Sequence, residues 1–381
     1  MSISAYLDNN ATTRPLGEVL DAMRRYQEEL FFNASSVAGE LLGAAEPITR
    51  ARSAMRTLLG AADEDDIIFT SGATEANSWV IFGSLLSPSH VVSCALEHSS
   101  LLAALHKAAS RGHRVDFVGV GASGLIDRDE LRSVLRPTTR LVSIQFANNE
   151  TGAIQPLAEI AATVRDLAPQ ALVHTDATQA IGREAIDLSA ELADVDLLSF
   201  SAHKFHGPKG IGGLFIREGV NIEPLIPGEQ EKGLRGGTLN VPAAAGLAIA
   251  AQRARARLPE MSRVAGLRDD LEKQLLAMHP DAYVHASGVC RLPNTSLIAF
   301  PGSDAEHMVE QLAWQGICVA TGSACTAGAA KPSHVLTAMG VKAHDARATI
   351  RFSLSADTTQ SEVERTAEAL AILLRKPGVP T

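Results

Sequence analysis

Residues 172–216 read LVHTDATQAIGREAIDLSAELADVDLLSFSAHKFHGPKGIGGLFI, and this stretch determines how the chain is expected to fold. It contains short apolar runs at 172–176, 197–201 and 213–216. Similar runs occur earlier, at 67–70, 91–95, 115–120 and 141–146. Helical patterns lie between most of the runs, at 74–86, 98–110, 128–136 and 156–168. Apolar runs that alternate with helices predict an α/β fold with a mostly parallel, seven-stranded sheet sandwiched by helices.

Two helices are expected before this region and a different pattern after it. Apolar spacing predicts helices at 15–30, with Pro15 in the first turn, and at 47–59. After about residue 243 the chain predicts one or two long helices at 243–279, strands at 295–300, 317–320 and 348–354, and helices at 304–315, 333–339 and 360–374. This reads as a smaller α+β C-terminal lobe. We expect a large domain at 15–252 and a small domain formed by 1–14 and 253–381.

Composition restricts the possible classes of function. The 381 residues carry 34 basic and 43 acidic side chains, a formal net charge of −9. An acidic chain offers no electrostatic footprint for nucleic acid or for an anionic membrane surface. The chain has no apolar run of ~18 residues for a membrane span, and its first residues, MSISAYLDNNATT, do not resemble a secretory signal. We therefore expect a cytoplasmic protein.

The four cysteines, at 94, 290, 318 and 325, form neither a disulfide framework nor a CxxC pair. No structural zinc site is expected, and any functional cysteine should act singly with a reduced thiol. Cys94 and Cys318 fall on predicted strands and are expected in the core, whereas Cys290 has no motif around it.

Three short motifs carry candidate chemistry, and each also has a purely structural interpretation. The turn TSGATE at 70–75 joins a strand to a helix, which suits phosphate, although small residues often occupy such turns for steric reasons alone. Asp176 ends an apolar strand, where a carboxylate either pairs with a cation or caps a helix. Lys204, in SFSAHKFHGPKG at 199–210, is either a surface loop lysine or a desolvated amine able to form a Schiff base. Together these are the parts of a pyridoxal phosphate site.

The sequence resembles the cysteine desulfurases, in the class V group of fold-type I pyridoxal phosphate enzymes, and the match runs nearly end to end. The matching strings are YLDNNATT at 6–13, SGATEAN at 71–77, EH at 97–98, ANNETG at 147–152, HTDATQA at 174–180, SFSAHKFHGPKG at 199–210, RGGT at 235–238, GSACT at 322–326, PSHVL at 332–336 and IRFS at 350–353. Such long, ordered strings make a chance resemblance negligible.

The resemblance implies how the cofactor phosphate is bound. Its ligands would be Ala73, Thr74, Ser201 and His203. Thr238 would reach the phosphate of a neighbouring subunit, which implies a homodimer.

The resemblance also implies roles around the cofactor ring. Lys204 would hold the cofactor covalently and shuttle the substrate Cα proton, while Asp176 would pair with the ring nitrogen. Gln179 would bond the ring hydroxyl oxygen, and His98 would stack on the ring and assist proton transfer. The substrate carboxylate would be held by Asn149, which also contacts the cofactor, and by Arg351.

Cys325 lies in ATGSACTAGAA at 320–330, a run without a large side chain. By composition it is either an inert thiol in a close-packed turn or a nucleophile that must reach both a substrate and a partner. The resemblance implies the second: L-cysteine becomes L-alanine, and sulfur passes as a persulfide on Cys325 to an acceptor protein, such as an iron–sulfur scaffold. No metal is implied.

Alternative functions keep the same fold. A selenocysteine lyase or a class V aminotransferase would use the same cofactor. DNA phosphorothioation is another process that could use the sulfur. The non-enzyme alternative is an inactive assembly scaffold.

The sequence departs from the family pattern at NASS (33–36), which lacks a Pro after Asn33 and the following His, and at PGEQE (227–231). Lys232 also replaces the common Arg. These departures concern partner choice and dimer contacts more than the central chemistry.

Overall fold

The computed structural model describes residues 3–322 and 332–375. In chain order the strands are β1 (Ala5–Tyr6), β2 (Asp66–Thr70), β3 (His90–Cys94), β4 (Arg114–Val118), β5 (Thr139–Ser143), β6 (Leu172–Asp176), β7 (Leu197–Ser201), β8 (Gly212–Ile216), β9 (Tyr283–Val284), β10 (Thr295–Ala299), β11 (Ile317–Cys318), β12 (Ala320–Thr321) and β13 (Thr349–Ser353). The helices are α1 (Gly17–Glu28), α2 (Val37–Leu41), α3 (Glu46–Leu59), α4 (Ala73–Ser84), α5 (Ser99–Ser110), α6 (Arg128–Val134), α7 (Leu157–Leu167), α8 (Val241–Arg257), α9 (Met261–Met278), α10 (Ala305–Trp314), α11 (His334–Ala338), α12 (Ala343–Arg347) and α13 (Gln360–Arg375). Within these ranges no helix is both long and apolar enough to cross a membrane.

The larger sheet has seven strands in the described part of the chain, in the order β2-β8-β7-β6-β5-β3-β4. Neighbours from β4 to β7 pair in parallel, while β8 runs antiparallel to both β2 and β7. The reversal at β8 follows from its connection, because residues 202–211 contain only one short turn and no crossover helix. The predicted mostly parallel α/β sheet is confirmed, and each predicted apolar run falls on one of its strands.

Helices cover both faces of this sheet because successive side chains of each strand point to opposite sides. In β5, Leu141 joins a cluster with α4 and α5, whereas Val142 joins the cluster with α3, α7 and α8. The same alternation holds in β7 for Leu197 and Leu198. The close approach of the turn before α4 to β8 depends on Gly212, where a Cβ would lie 2.7 Å from the Gly72 Cα.

The C-terminal part forms a separate antiparallel sheet in the order β12-β13-β10-β9, with its own apolar cluster from α9, α10 and α13. The predicted smaller α+β lobe is confirmed. β1 pairs in parallel with β11 and so joins the N-terminus to this lobe. The division into 15–252 and 1–14 with 253–381 stays a prediction, and its boundary at 252 falls within α8.

Several local predictions need correction. The single strand expected at 317–320 is two, because β11 pairs with β1 and β12 pairs with β13. The first helix begins at Gly17 rather than Pro15, since the Leu16 amide donates to the His206 carbonyl and Leu16 stays extended. The predictions omitted β1, β9, α2 and α12. Cys94 is buried as expected, Cys318 is only partly buried, and Cys290 is exposed.

Candidate active site

A cavity of about 530 Å³ lies at the carboxyl ends of β6 and β7, beside the N-terminus of α4. This is where open α/β sheets bind ligands, and the volume is typical of a site for a small molecule. The cavity brings together residues that the sequence singled out from distant segments: Ala73, Thr74, His98, Asn149, Asp176, Gln179, Ser201, His203 and Lys204.

One end of the cavity is suited to an anion. Ala73 and Thr74 form the first turn of α4, whose N-cap makes no side-chain hydrogen bond to the first amides. Free amides and the helix dipole attract phosphate at such a point. Ser201 and His203 face the same space from the end of β7. Burial, reinforced by neighbouring lysines, lowers the pKa of His203 to about 4, so its ring is neutral at neutral pH.

Asp176 presents a carboxylate that one side chain and one main-chain amide hold in place. The residue is 7% exposed, and its Oδ2 accepts a 2.7 Å hydrogen bond from Asn77 Nδ2. Its Oδ1 accepts from the Thr178 amide at 2.9 Å in a turn that is not a helix, so Asp176 is not a helix cap. Among the described residues no cation forms an ion pair with it. The carboxylate is therefore placed to meet a positively charged or N–H group of a ligand.

Lys204 follows β7 in a short 3₁₀ turn and reaches the N-terminal segment. Its Nζ donates to the carbonyl oxygens of Asn10, at 2.6 Å, and Ala11, at 2.9 Å. Burial, followed by the charges of Arg183 and Arg351, lowers the pKa of Lys204 to about 8. Far more of the amine is therefore uncharged near neutral pH than in an ordinary lysine, and the uncharged form can act as a nucleophile or base.

His98 caps α5 and offers a proton to the cavity. Its Nδ1 accepts from the Ser100 amide at 3.2 Å, so the neutral ring carries its proton on Nε2. Although the ring is open to the cavity, the surrounding protein atoms displace enough water to lower the pKa of His98. Asp176 opposes this shift, while Lys204 and His334 add to it.

Asn10 connects the remaining polar residues of the site. Its carbonyl accepts from Gln179 Nε2 at 3.0 Å as well as from Lys204, and its Nδ2 donates to the Asn149 carbonyl at 3.0 Å. Arg351 NH1 donates to the same Asn149 carbonyl at 3.1 Å. The guanidinium lies behind Asn149 rather than among the cavity-lining residues, and its NH2 pairs with Asp8 Oδ1 at 2.7 Å.

Thr238 and Cys325 are not placed in this cavity. Thr238 lines a neighbouring cavity of about 240 Å³, which shares Ser71 and Gly210 with the first. Cys325 lies outside the described residues. On one side of that gap, Ser333 Oγ donates to Glu150 Oε2 at 2.6 Å, next to Asn149.

The residues present fit pyridoxal phosphate. Besides the anion-binding turn, the carboxylate and the amine, two buried polar atoms on the cavity wall, Gln145 Nε2 and Thr178 Oγ1, have no hydrogen-bond partner among the described residues. Unpaired buried polar atoms are costly, so a ligand with its own polar atoms would be favoured here.

Several residues that support the site were not among those predicted from the sequence. Asn77 positions Asp176, Ser100 fixes the proton on His98, and Asn10 and Arg183 hold Lys204 and Gln179. Only Asn77 had a readable signal, because it lies three residues after Thr74 and so on the same face of α4.

The chain is similar to known proteins in both sequence and fold. The family model described as aminotransferase class-V matches residues 5–366. A protein named cysteine desulfurase from Bradyrhizobium diazoefficiens is 42% identical over 376 residues, covering 97% of this chain and 94% of the relative. A solved structure described as a NifS-like protein is 35% identical, with a TM-score of 0.90 over 98% of this chain and 99% of that one. Another, described as SspA in complex with cysteine, is 31% identical, with a TM-score of 0.81 over 93% of this chain and 100% of that one. The chain belongs to the class-V aminotransferase family.

Proposed function

We propose that this protein is a cysteine desulfurase that uses pyridoxal phosphate, converts L-cysteine to L-alanine, and passes the sulfur from Cys325 to an acceptor protein. The observation that carries the proposal is the meeting of a helix N-terminus, the Asp176 carboxylate and the Lys204 amine in one cavity. The relatives named cysteine desulfurase support the choice of reaction within the family.

The cofactor would lie between the two ends of this cavity. Bound pyridoxal phosphate withdraws electrons from the substrate Cα and so makes the Cα proton easier to remove. Ala73, Thr74, Ser201 and His203 would hold its phosphate, and Thr238 would do so from the neighbouring subunit of a homodimer. Asp176 would accept a hydrogen bond from the ring nitrogen. Gln179 Nε2 has a second N–H, beyond the one bonded to Asn10, for the ring hydroxyl oxygen.

Lys204 and His98 would move the protons. The lowered pKa of Lys204 supplies an uncharged amine that can first bind the cofactor and later take the Cα proton. His98 has its proton on Nε2, facing a ligand in the cavity, because Nδ1 is occupied by Ser100. It can therefore stack on the ring and donate to an atom that gains electrons.

Cys325 would supply the thiolate that attacks the substrate sulfur. The new S–S bond forms as the substrate C–S bond breaks, and the carbon left behind takes a proton to become the methyl group of alanine. Cys325 then carries the sulfur as a persulfide.

Arg351 and Asn149 would hold the substrate carboxylate. Arg351 Nε is buried and has no hydrogen-bond partner among the described residues, so its N–H is able to donate to an anionic ligand. Asp8 already occupies one edge of this guanidinium, so the carboxylate would approach the other or compete with Asp8. A two-pronged contact of this kind gives both affinity and orientation.

We further propose a cytoplasmic location and a protein acceptor, such as an iron–sulfur scaffold, rather than nucleic acid. The net charge of −9 supports a protein acceptor, because an acidic surface repels a phosphate backbone.

The test compares two cysteine variants with the wild type after addition of L-cysteine. Alanine is quantified, and persulfide is located by mass spectrometry. We expect C325S to lose persulfide and sulfur transfer, while C290S, which changes an exposed thiol elsewhere, keeps both. Persulfide formation that survives in C325S would overturn the role of Cys325. Release of selenide from selenocysteine without any activity on cysteine would instead indicate a selenocysteine lyase.

A further inference from the structure

The Arg183 guanidinium is buried beside the candidate active site without an acidic partner among the described residues. The residue is 7% exposed and lies in the loop after β6. Its NH1 donates to the Gln179 carbonyl at 2.7 Å and to the Gln179 side-chain oxygen. Its NH2 donates to the carbonyls of Asn9, at 3.2 Å, and Lys204, at 3.3 Å. Every acceptor is therefore a neutral oxygen.

Stability alone does not account for a charge in this position. Burying a cation is unfavourable unless a nearby anion compensates it. Arg351, the other buried arginine among the described residues, is also 7% exposed and has such an anion, because it pairs with Asp8 at 2.7 Å. The unpaired charge of Arg183 therefore points to a role in the site.

The acceptors of Arg183 come from three segments that each contribute to the site. Asn9 precedes Asn10, whose carbonyl binds Lys204 Nζ. Gln179 lines the cavity, and the third acceptor is the main chain of Lys204 itself. One planar side chain thus ties the N-terminal segment, the loop after β6 and the turn after β7 together, which a point charge such as lysine cannot do equally well.

The charges around Lys204 favour its uncharged form. The ionisable groups that act on its amine from the surrounding elements are Arg183, Arg351, Asp176 and Asp8. After burial, Arg183 and then Arg351 contribute most to lowering the pKa of Lys204 to about 8, and the two carboxylates only partly oppose them. Loss of the Arg183 charge should therefore favour protonated Lys204.

We propose that Arg183 is a positioning residue: it fixes Lys204 and Gln179 against the N-terminal segment, and its positive charge disfavours a second one on the Lys204 amine. The inference rests on the proposed function only in taking Lys204 as the group that carries the cofactor.

The test measures the ionisation of Lys204 directly. Full-length protein freed of cofactor with hydroxylamine is labelled with acetic anhydride over a range of pH, and labelling of Lys204 is followed by peptide mass spectrometry. We expect R183M and R183Q to raise the labelling midpoint by about one pH unit, the usual effect of removing a neighbouring like charge. R183K keeps the charge and should leave the midpoint near that of the wild type. If R183M does not fold, R183Q, which retains a hydrogen-bond donor, gives the same comparison.

The matched control is R217M. Arg217 also donates only to carbonyl oxygens, those of Leu188, Leu192 and Val195. It lies far from Lys204, however, because it follows β8 at the end of the sheet where β7 begins. We expect no change in Lys204 labelling in R217M. In the holoenzyme, the pH at which the absorption band of the bound cofactor changes should rise in R183Q and stay constant in R217M.

Two results would overturn the proposal. One is a pH midpoint for labelling of wild-type Lys204 as high as that of an exposed lysine. The other is the same midpoint in folded R183Q and in the wild type. Neither depends on alanine formation from cysteine. A wild-type protein that forms no alanine but shows the Arg183 effect would refute the proposed reaction and leave this inference intact.

Discussion

Glu97 offers a quantitative test of the electrostatics behind the active site. The residue is fully buried after β3, where Oε1 accepts from the Gln145 amide at 2.7 Å. Its Oε2 has no hydrogen-bond partner among the described residues. Burial raises the pKa of Glu97 to about 8; the Gln145 amide opposes this shift and the charge of Asp176 adds to it.

The sign of the pH dependence follows from where the proton is held. Between the ordinary pKa of 4.5 and about 8, folded Glu97 keeps a proton that the unfolded chain has released. Stability is therefore lost as pH rises through this window, by ~1.4 kcal/mol per pH unit. Across the whole window the loss reaches roughly 5 kcal/mol, an upper limit because local rearrangement relieves part of it.

The variant E97Q removes the ionisation and keeps an oxygen for the Gln145 amide. We expect its free energy of unfolding, measured by chemical denaturation, to exceed that of the wild type by a few kcal/mol near pH ~8. This difference should shrink steadily as pH falls. The control E310Q, at an exposed position on α10, should follow the wild type at every pH. Identical pH slopes for E97Q and the wild type would show that Glu97 is ionised in the folded protein, and the reasoning would fail.

Three further variants test the site. K204A should retain no cofactor after borohydride reduction, because its anchoring amine is gone; a covalent adduct detected by mass spectrometry would contradict this. N77A removes the 2.7 Å hydrogen bond to the buried Asp176 and should lower the free energy of unfolding by about 2 kcal/mol in denaturant titrations, whereas an unchanged value would show that water replaces the amide. R235M breaks the two-pronged pair with Glu75, whose Oε2 also accepts from the Ser71 amide, and should weaken cofactor binding several-fold in a fluorescence titration. Binding as tight as in the wild type would show that the turn needs no such support.

The larger sheet could be predicted because its strands are short apolar runs separated by helices. The antiparallel direction of β8 was not predicted, because the strand's own residues do not carry it; it follows from the connection between β7 and β8, which is too short for a crossover helix. β1 escaped prediction for a related reason. Two residues carry no periodic pattern, and they form a strand only because β11 lies alongside. α2 begins where Ser36 Oγ accepts from the Gly39 amide, a local cap without an apolar face to reveal it.

The candidate site also contains residues that could be predicted from the sequence and residues that could not. Asp176 and Lys204 could be predicted because Asp176 ends a buried strand and Lys204 closely follows another, and a charged residue is conspicuous at both places. Arg183 and Asn10 act through carbonyl oxygens of distant segments, and no spacing in the sequence reveals such partners. Thr238 faces a neighbouring cavity, and its proposed role depends on the second subunit of the proposed homodimer.

The N-terminal segment 8–13 connects the residues of the candidate site. β1, just before it, pairs with the C-terminal lobe, while Asn10 binds Lys204 just beyond the carboxyl end of β7. Between them, Asp8 pairs with Arg351 on β13. The proposed substrate-binding arginine and the proposed cofactor-binding lysine are thus held by residues only two positions apart. A substrate carboxylate that competes with Asp8 for Arg351 would disturb the main chain of segment 8–13. Asn10, in the same segment, accepts the hydrogen bond of the Lys204 amine. Substrate binding would therefore be coupled to release of this amine through segment 8–13.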